Sequence, residues 1–256
     1  MGYTVLKIGG NVLNNPALLT AALDYFASLD QAVLVHGGGR KASELLSQMG
    51  IAPQMVGGRR LTDAPTLEVV TMVYAGLLSK NIVAQLQARG CNAVGLSGAD
   101  GDTIRAHKRP VGAVDYGFAG DLDRVNAPFL AELLNTGRSP VLCPITHDGK
   151  GQLLNTNADT IAMATAEALA GLGDVQLQYC FELPGVLRNI NDLDSVIRTM
   201  NPTDFARYRA EGVVAGGMLP KLENAFAAIA GGVKEVVIGD LTALSNKCGT
   251  RLVDNA

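Results

Sequence analysis

Lys7 stands inside an apolar run, Thr4-Val5-Leu6-Lys7-Ile8, that ends on Gly9 and Gly10. Such a run reads as a buried strand, and a buried ammonium needs an anion beside it. A second apolar run, residues 32–36, repeats the design and closes on His36-Gly37-Gly38-Gly39. Glycines there leave backbone N–H groups open to an anion with no Cβ in the way. Together the two runs describe a phosphate-handling site. Three further constellations add to it. Gly57-Gly58-Arg59-Arg60-Leu61-Thr62 sets a guanidinium just before a helix N-terminus, a good place to hold a carboxylate through two parallel hydrogen bonds. Asn155-Thr156-Asn157-Ala158-Asp159 brings two amides and a carboxylate to the mouth of another helix, although an N-cap alone would explain Asn157. Gly216-Gly217-Met218-Leu219-Pro220-Lys221 opens a helix with a lysine in its first turn, where the dipole disfavours a cation and an anionic partner is called for.

The elements that must position these groups follow from periodicity. Short β-branched runs at 4–8, 32–36, 93–96, 140–144, 175–180 and 235–238 alternate with longer helical segments. Asn15-Pro16 is an N-cap and N1 pair for a helix over 16–29, and Thr62-Asp63-Ala64-Pro65 starts a long helix that ends near Arg89-Gly90. The alternation predicts an α/β fold with a mostly parallel sheet and helices on both faces. In such sheets ligands bind outside the carboxyl ends of the strands, where both glycine runs lie. Residues 105–123, with Pro110 and several glycines, read as β-hairpins projecting from the sheet as a lid. No linker or repeat is visible, so any boundary is a crevice between lobes at the helix starting near Asn157.

Composition narrows the classes. The chain has 256 residues, 48% of them apolar, and a net charge of −3 without any block of like charges. That balance lacks both the nucleic-acid and the membrane-surface footprint and favours small-molecule partners. No apolar stretch approaches the roughly 18 residues of a spanning helix, and no signal-peptide pattern opens the chain, which predicts a cytoplasmic protein. Cys91, Cys143, Cys180 and Cys248 are widely spaced with no C-x-x-C, so free thiols are expected; His36, His107 and His147 show no metal-ligand spacing. There is no P-loop. Gly37 to Ala42 satisfies the loose G-x-G-x-x-A dinucleotide pattern, but the acidic residue due about 20 positions on falls near Arg59-Arg60. H-G-G-G can also mark an acyl-hydrolase oxyanion hole, yet no G-x-S-x-G elbow accompanies it.

Taken in order, K-x-G-G at Lys7, H-G-G-G at His36, G-x-R-x-T at Gly58, N-x-N-A-D at Asn155 and G-M-x-x-K at Gly217 resemble the amino acid kinase family, most closely its N-acetylglutamate kinase branch. The resemblance implies a three-layer αβα sandwich of one domain, with residues 1–156 binding an N-acylglutamate and carrying the dimer interface, and 157–256 forming the ATP lobe. It implies phosphorylation of the γ-carboxylate of an N-acetyl or N-succinyl glutamate, early in arginine biosynthesis. Lys7 and Lys221 would approach the transferring phosphoryl group from opposite sides, with Asp159 orienting both. Gly9, Gly10, Gly38 and Gly39 would supply backbone donors to phosphate and substrate. Gly38, Gly39, Arg60, Asn155 and Asn157 would hold the acceptor. Glu182, Leu183, Pro184, Gly185, Val186, Leu187, Val213, Val214 and Ala215 would line the nucleotide site. Mg2+ would arrive with ATP, with no metal site of the protein's own.

Some positions depart from the pattern. Arg40 and Arg59 replace commonly uncharged residues and would either be solvated or read a second carboxylate on the acyl group. Phe181-Glu182-Leu183 replaces the usual Ser-Asp-Val. The chain begins at its first strand, so a homodimer without arginine feedback is expected, with the helix over 65–89 as its seam through Leu67, Val70, Val73, Leu77 and Leu78. The alternative buries both faces of that helix within one subunit. Sister kinases of glutamate, aspartate, carbamate or an aminoadipyl carrier, a silent acylamino-acid sensor and a nicotinamide oxidoreductase are the competing functions.

Overall fold

β1 (Gly2–Ile8) shows how one strand serves two layers: Tyr3 and Val5 point into one core, Leu6 and Ile8 into another. Lys7 falls on the side of Tyr3 and Val5 by the two-residue period of a strand. The computed structural model describes residues 2–215 and 218–254. After β1 come α1 (Gly10–Asn14), α2 (Pro16–Ala27), β2 (Ala32–His36) and α3 (Gly39–Gln48). A small hairpin, β3 (Met55–Val56) and β4 (Arg59–Arg60), leads to a long helix built from α4 (Ala64–Thr71), a π-helical stretch Met72–Leu78 and α5 (Ser79–Gln87). Then follow β5 (Ala93–Leu96), β6 (Ile104–Lys108), β7 (Gly120–Val125), α6 (Ala127–Asn135), β8 (Ser139–Leu142), β9 (Ile145–His147) and β10 (Leu153–Asn155). The remainder is α7 (Ala158–Ala170), β11 (Asp174–Cys180), β12 (Thr199–Met200), α8 (Pro202–Ala210), α9 (Met218–Ala230), β13 (Glu235–Gly239), α10 (Leu241–Ser245) and β14 (Thr250–Leu252).

Eight strands form one sheet in the order β12-β14-β13-β11-β1-β2-β8-β5. Every neighbouring pair is parallel except β13 with β14. α6, α7, α8 and α9 cover one face, burying Leu130, Ile161, Tyr208 and Leu222; α1, α2, α5 and α10 cover the other with Val12, Phe26, Ile82 and Leu244. The result is the expected three-layer αβα sandwich. All six strands read from periodicity are present, two with the expected ends and four with ends shifted by one or two residues. All four cysteines are free.

The hairpin expected over 105–123 is the antiparallel β6–β7 pair, which joins β9 and β10 in a separate four-stranded sheet. β9 and β10 were not legible because Cys143-Pro144 breaks the apolar run 141–145 into two strands that enter different sheets. Asp102 accepts from Arg105 Nε at 2.7 Å and His147 Nε2 at 2.9 Å and also pairs with Arg124, stitching β6, β7 and β9 together.

The helix Ala64–Gln87 corrects one expectation. By length and composition it is apolar enough to cross a membrane, which went unseen because Glu68, Tyr74 and Lys80 interrupt the run. Its apolar residues are used in packing: Val69, Val70 and Val73 lie against α3 and β9, and Ile82 and Leu86 against α2 and the sheet.

Candidate active site

Since Lys7 faces the α7 side of the sheet, its ammonium meets the first turn of that helix, where Asp159 waits. Lys7 Nζ lies 2.7 Å from Asp159 Oδ1, with the lysine side chain only 10% exposed. A carboxylate in a first helical turn is favoured by the dipole, so Asp159 is stabilised from both sides. Asn157 caps α7: its side-chain oxygen accepts from the N–H groups of Asp159 at 2.7 Å and Thr160 at 3.3 Å.

The glycine runs meet this pair at the sheet edge. A Cβ on Gly9 would sit 3.5 Å from Lys7 Nζ, and Gly10 begins α1. At Gly38 a Cβ would come within 2.5 Å of Leu78 Cδ1 and 2.8 Å of the Tyr74 ring. Both residues belong to the π-helical stretch, a distortion frequent at functional sites. Only glycine fits there.

Arg60 alternates with Arg59 on β4, so one is buried and the other exposed. Its Nη2 donates to the Gly39 carbonyl and to Ser43 Oγ, both at 2.8 Å. Its Nη1 is buried and has no partner among the described residues. An unpaired guanidinium nitrogen costs free energy until an acceptor arrives. Nearby, Asn155 Nδ2 donates to Thr62 Oγ1 at 3.0 Å. The pKa of Tyr74 is raised by burial, with the Arg60 guanidinium pulling it back.

These groups surround a cavity of about 270 Å³. Lys7, Gly38, Gly39, Arg60, Asn155, Asn157 and Asp159 line it, as does Arg59; Gly9, Gly10, Arg40 and Lys221 do not. Lys7, Arg59, Arg60 and Arg109 stand against only two carboxylates, Asp121 and Asp159, so the cavity suits anions. Arg109 was missed in the sequence. Its Nε donates to both Asp121 oxygens at 3.1 and 3.0 Å, a contact that raises the arginine's pKa, and its guanidinium lies over Tyr116. The complementary spacing Arg-x-His-x-Arg at 105–109 against Asp-x-Asp at 121–123 is the signal that could have found it.

A second cavity of about 470 Å³ is walled mostly by apolar groups from residues 183–190, residues 212–215 and Met218. Of the residues expected at a nucleotide site, Leu183, Gly185, Val186, Leu187, Val213, Val214 and Ala215 line this cavity, whereas Glu182 and Pro184 do not. Arg188, which was not anticipated, also lines it and donates to Tyr208 Oη at 2.8 Å while stacking on that ring. Gly217, the first residue of the G-M-x-x-K motif, and Gly216 before it lie outside the described residues.

Lys221 sits in the first turn of α9 with Nζ 4.1 Å from the centroid of Phe181. Phe181 in turn stacks on Tyr179, whose hydroxyl donates to the Asp159 carbonyl at 3.4 Å. The residue as a whole is exposed, but its ammonium end is tucked against the ring. That burial lowers its pKa, Asp159 opposes the shift and Lys7 reinforces it. Lys7, Asp159 and Lys221 therefore share one electrostatic environment.

The model of the amino acid kinase family matches residues 2–240. The chain is 56% identical to acetylglutamate kinase of Bacteroides fragilis over 97% of this chain and 96% of that one. It is 51% identical to acetylglutamate kinase of Cytophaga hutchinsonii over 98% of each. Among solved structures, smu.665 from Streptococcus mutans UA159 superposes with a TM-score of 0.77 at 26% identity over 98% of each chain. With a lysine–aspartate pair, two glycine turns and a cationic cavity at the edge of an αβα sandwich, this chain belongs to the amino acid kinase family.

Proposed function

We propose that this protein transfers the γ-phosphoryl group of ATP to the γ-carboxylate of N-acetyl-L-glutamate, giving an acyl phosphate and ADP in arginine biosynthesis. One observation carries the substrate side: a buried Arg60 with an open Nη1 shares a single cavity with the Lys7–Asp159 pair. An α-carboxylate on Arg60 and Asn155 would leave the γ-carboxylate directed towards Lys7.

The chemistry asks little of the protein beyond positioning. A carboxylate is ionised at pH 7, so its oxygen attacks the γ-phosphorus without a general base while the bond to the β–γ bridging oxygen breaks. What must be overcome is repulsion between the carboxylate and the triphosphate. Lys7, held by Asp159, and Lys221 on α9 would neutralise charge on the transferring group, a contribution worth roughly several kcal/mol in enzyme sites. The Gly38 and Gly39 N–H groups would add donors, and Gly9 and Gly10 would serve the phosphate side. Mg2+ would enter as part of the nucleotide, bound to its phosphates. The apolar cavity at residues 183–190 would take the base and ribose. On this reading residues 1–156 are the acceptor lobe and 157–256 the nucleotide lobe.

The protein would act in the cytoplasm as a homodimer. Leu67, Val70 and Val73 are buried within the subunit and Leu78 is partly so, which leaves Met72 and Leu77 as the exposed apolar residues of the proposed seam. Light scattering at micromolar concentration tests the mass. For the activity, the test is hydroxylamine trapping of the acyl phosphate with N-acetylglutamate, N-succinylglutamate and free glutamate side by side. Turnover of the acetyl substrate supports the reading. Selective turnover of the succinyl substrate, lost on neutralising Arg59, would make Arg59 the reader of a second carboxylate. Product from none would overturn the proposal.

A further inference from the structure

The first residue of the H-G-G-G motif never reaches the cavity. His36 ends β2, on the face shared by Ala32 and Leu34, and is wholly buried. Its Nδ1 lies 2.7 Å from the Gly37 carbonyl oxygen, and its Nε2 has no partner among the described residues. The ring is therefore the tautomer that carries its proton on Nδ1 and donates it to Gly37. A leucine would fill the same space without leaving a ring nitrogen unpaired in the core, so the Nδ1–H bond is what distinguishes histidine here.

That bond fixes a peptide plane. The Gly37 N–H is held by the Ile8 carbonyl at 3.2 Å and the Gly37 carbonyl by His36. In a trans peptide the carbonyl of one residue and the N–H of the next point in opposite directions. With the Gly37 carbonyl turned to the buried ring, the Gly38 N–H is turned the other way, towards the cavity that Gly37, Gly38 and Gly39 line. It donates to no group among the described residues. The next two carbonyls are pinned as well: Gly38 O accepts from the Ala42 N–H at 3.0 Å and Gly39 O from Arg60 Nη2 at 2.8 Å.

We propose that His36 is a positioning residue for phosphoryl transfer, which locks the Gly37–Gly38 peptide so that the Gly38 N–H is aimed at the reacting anion before substrate arrives. The assignment rests on the reading of this cavity as the acceptor and γ-phosphate site. Burial holds the ring's pKa down at about 4, against the pull of the Gly37 carbonyl, so the ring is neutral throughout the working range.

Asparagine carries its amide nitrogen the same number of bonds from Cβ as Nδ1, so His36→Asn preserves the donor, whereas His36→Leu deletes it and His36→Gln displaces it. By comparison with losing a preorganised donor, kcat/KM per active site should fall about 10- to 100-fold in H36L and H36Q and stay within about threefold of wild type in H36N. The thermal midpoint of H36L should change little, since the unpaired Nε2 is gone while the Gly37 carbonyl loses its donor. Equal losses in H36L and H36N, or full activity in H36L, would overturn the proposal. The 15N spectrum of the imidazole and the Gly38 amide signal supply a readout without substrate: an Nδ1–H ring, and a Gly38 signal shifted in H36L but not in H36N, are expected. An Nε2–H ring would sink the assignment even in an active enzyme. Inactivity of the wild type towards every N-acylglutamate would instead remove the functional reading and leave the peptide lock to be judged on the spectra.

Discussion

The two cavities of this protein are built on opposite terms. The cavity proposed for the acceptor is lined by cations and amides already anchored on protein groups, Lys7 on Asp159, Arg109 on Asp121, Arg60 on Gly39 and Ser43, Asn155 on Thr62, with Arg60 Nη1 left open. The cavity proposed for the nucleotide is nearly twice as large and mostly apolar, and Arg188, the one cation lining it among the described residues, is stacked on Tyr208. A small anionic substrate offers few apolar atoms, so its recognition has to come from charge and preorganised donors. A purine offers faces and little charge, so apolar walls and close backbone suffice. The difference predicts that single substitutions will injure the first region through chemistry and the second through fit.

The sharpest way to break the contrast is Lys7→Ala. Removing the ammonium leaves Asp159 beside an incoming carboxylate and triphosphate, and turnover should fall by about three orders of magnitude or more with the fold retained. Far-ultraviolet circular dichroism and the hydroxamate assay check both halves. Wild-type turnover in folded K7A would remove Lys7 from the mechanism.

Arg60→Ala comes next and divides the cavities. Loss of the guanidinium should raise the KM for N-acetylglutamate by about 100-fold, in the range for breaking a buried charge-assisted pair. The KM for ATP should move little. An equal rise for both substrates would mean that the two cavities are not separate in function.

For the nucleotide side, Gly185→Ala is the corresponding probe. A Cβ there would lie 2.6 Å from Thr250 Oγ1 and 2.7 Å from Val196 Cγ1, and that Thr250 hydroxyl oxygen accepts from the Val186 N–H at 2.8 Å. The wall must shift by several tenths of an ångström. We expect about a tenfold weaker ATP affinity, near the cost of overpacking a tight site, with N-acetylglutamate binding unchanged by calorimetry.

The same contrast explains what was legible in the sequence. Lys7, Arg60 and Asp159 stood out because a charge inside an apolar run or at a helix mouth violates the local pattern, and such violations are where a chain serves chemistry. Strand and helix alternation gave the sandwich for the same reason: period is a local property. Arg109 was hidden because its meaning lies in a cross-strand partner 12 residues away, Asp121. β9 and β10 were hidden because the break at Cys143-Pro144 separates two sheets, which no local period reports. Arg188 and Tyr208 meet only through tertiary folding.

Lys221 belongs to neither region alone, and Phe181 tests how it is held between them. Its position in the first turn of α9 is opposed by the helix dipole, and burial lowers its pKa further, so its charged form depends on nearby stabilisation. The Phe181 face supplies some of it at 4.1 Å, an interaction of about 0.5–2 kcal/mol. Phe181→Leu keeps an apolar side chain under the ammonium but removes the ring quadrupole. Since the ring favours the cation, its loss should move the basic limb of the kcat profile to lower pH, and turnover at neutral pH should fall only a few-fold, consistent with that magnitude. Phe181→Tyr should restore both. If the basic limb of F181L stays where the wild type has it while the acidic limb is also unmoved, Lys221 is positioned by the nucleotide alone and the aromatic face is packing.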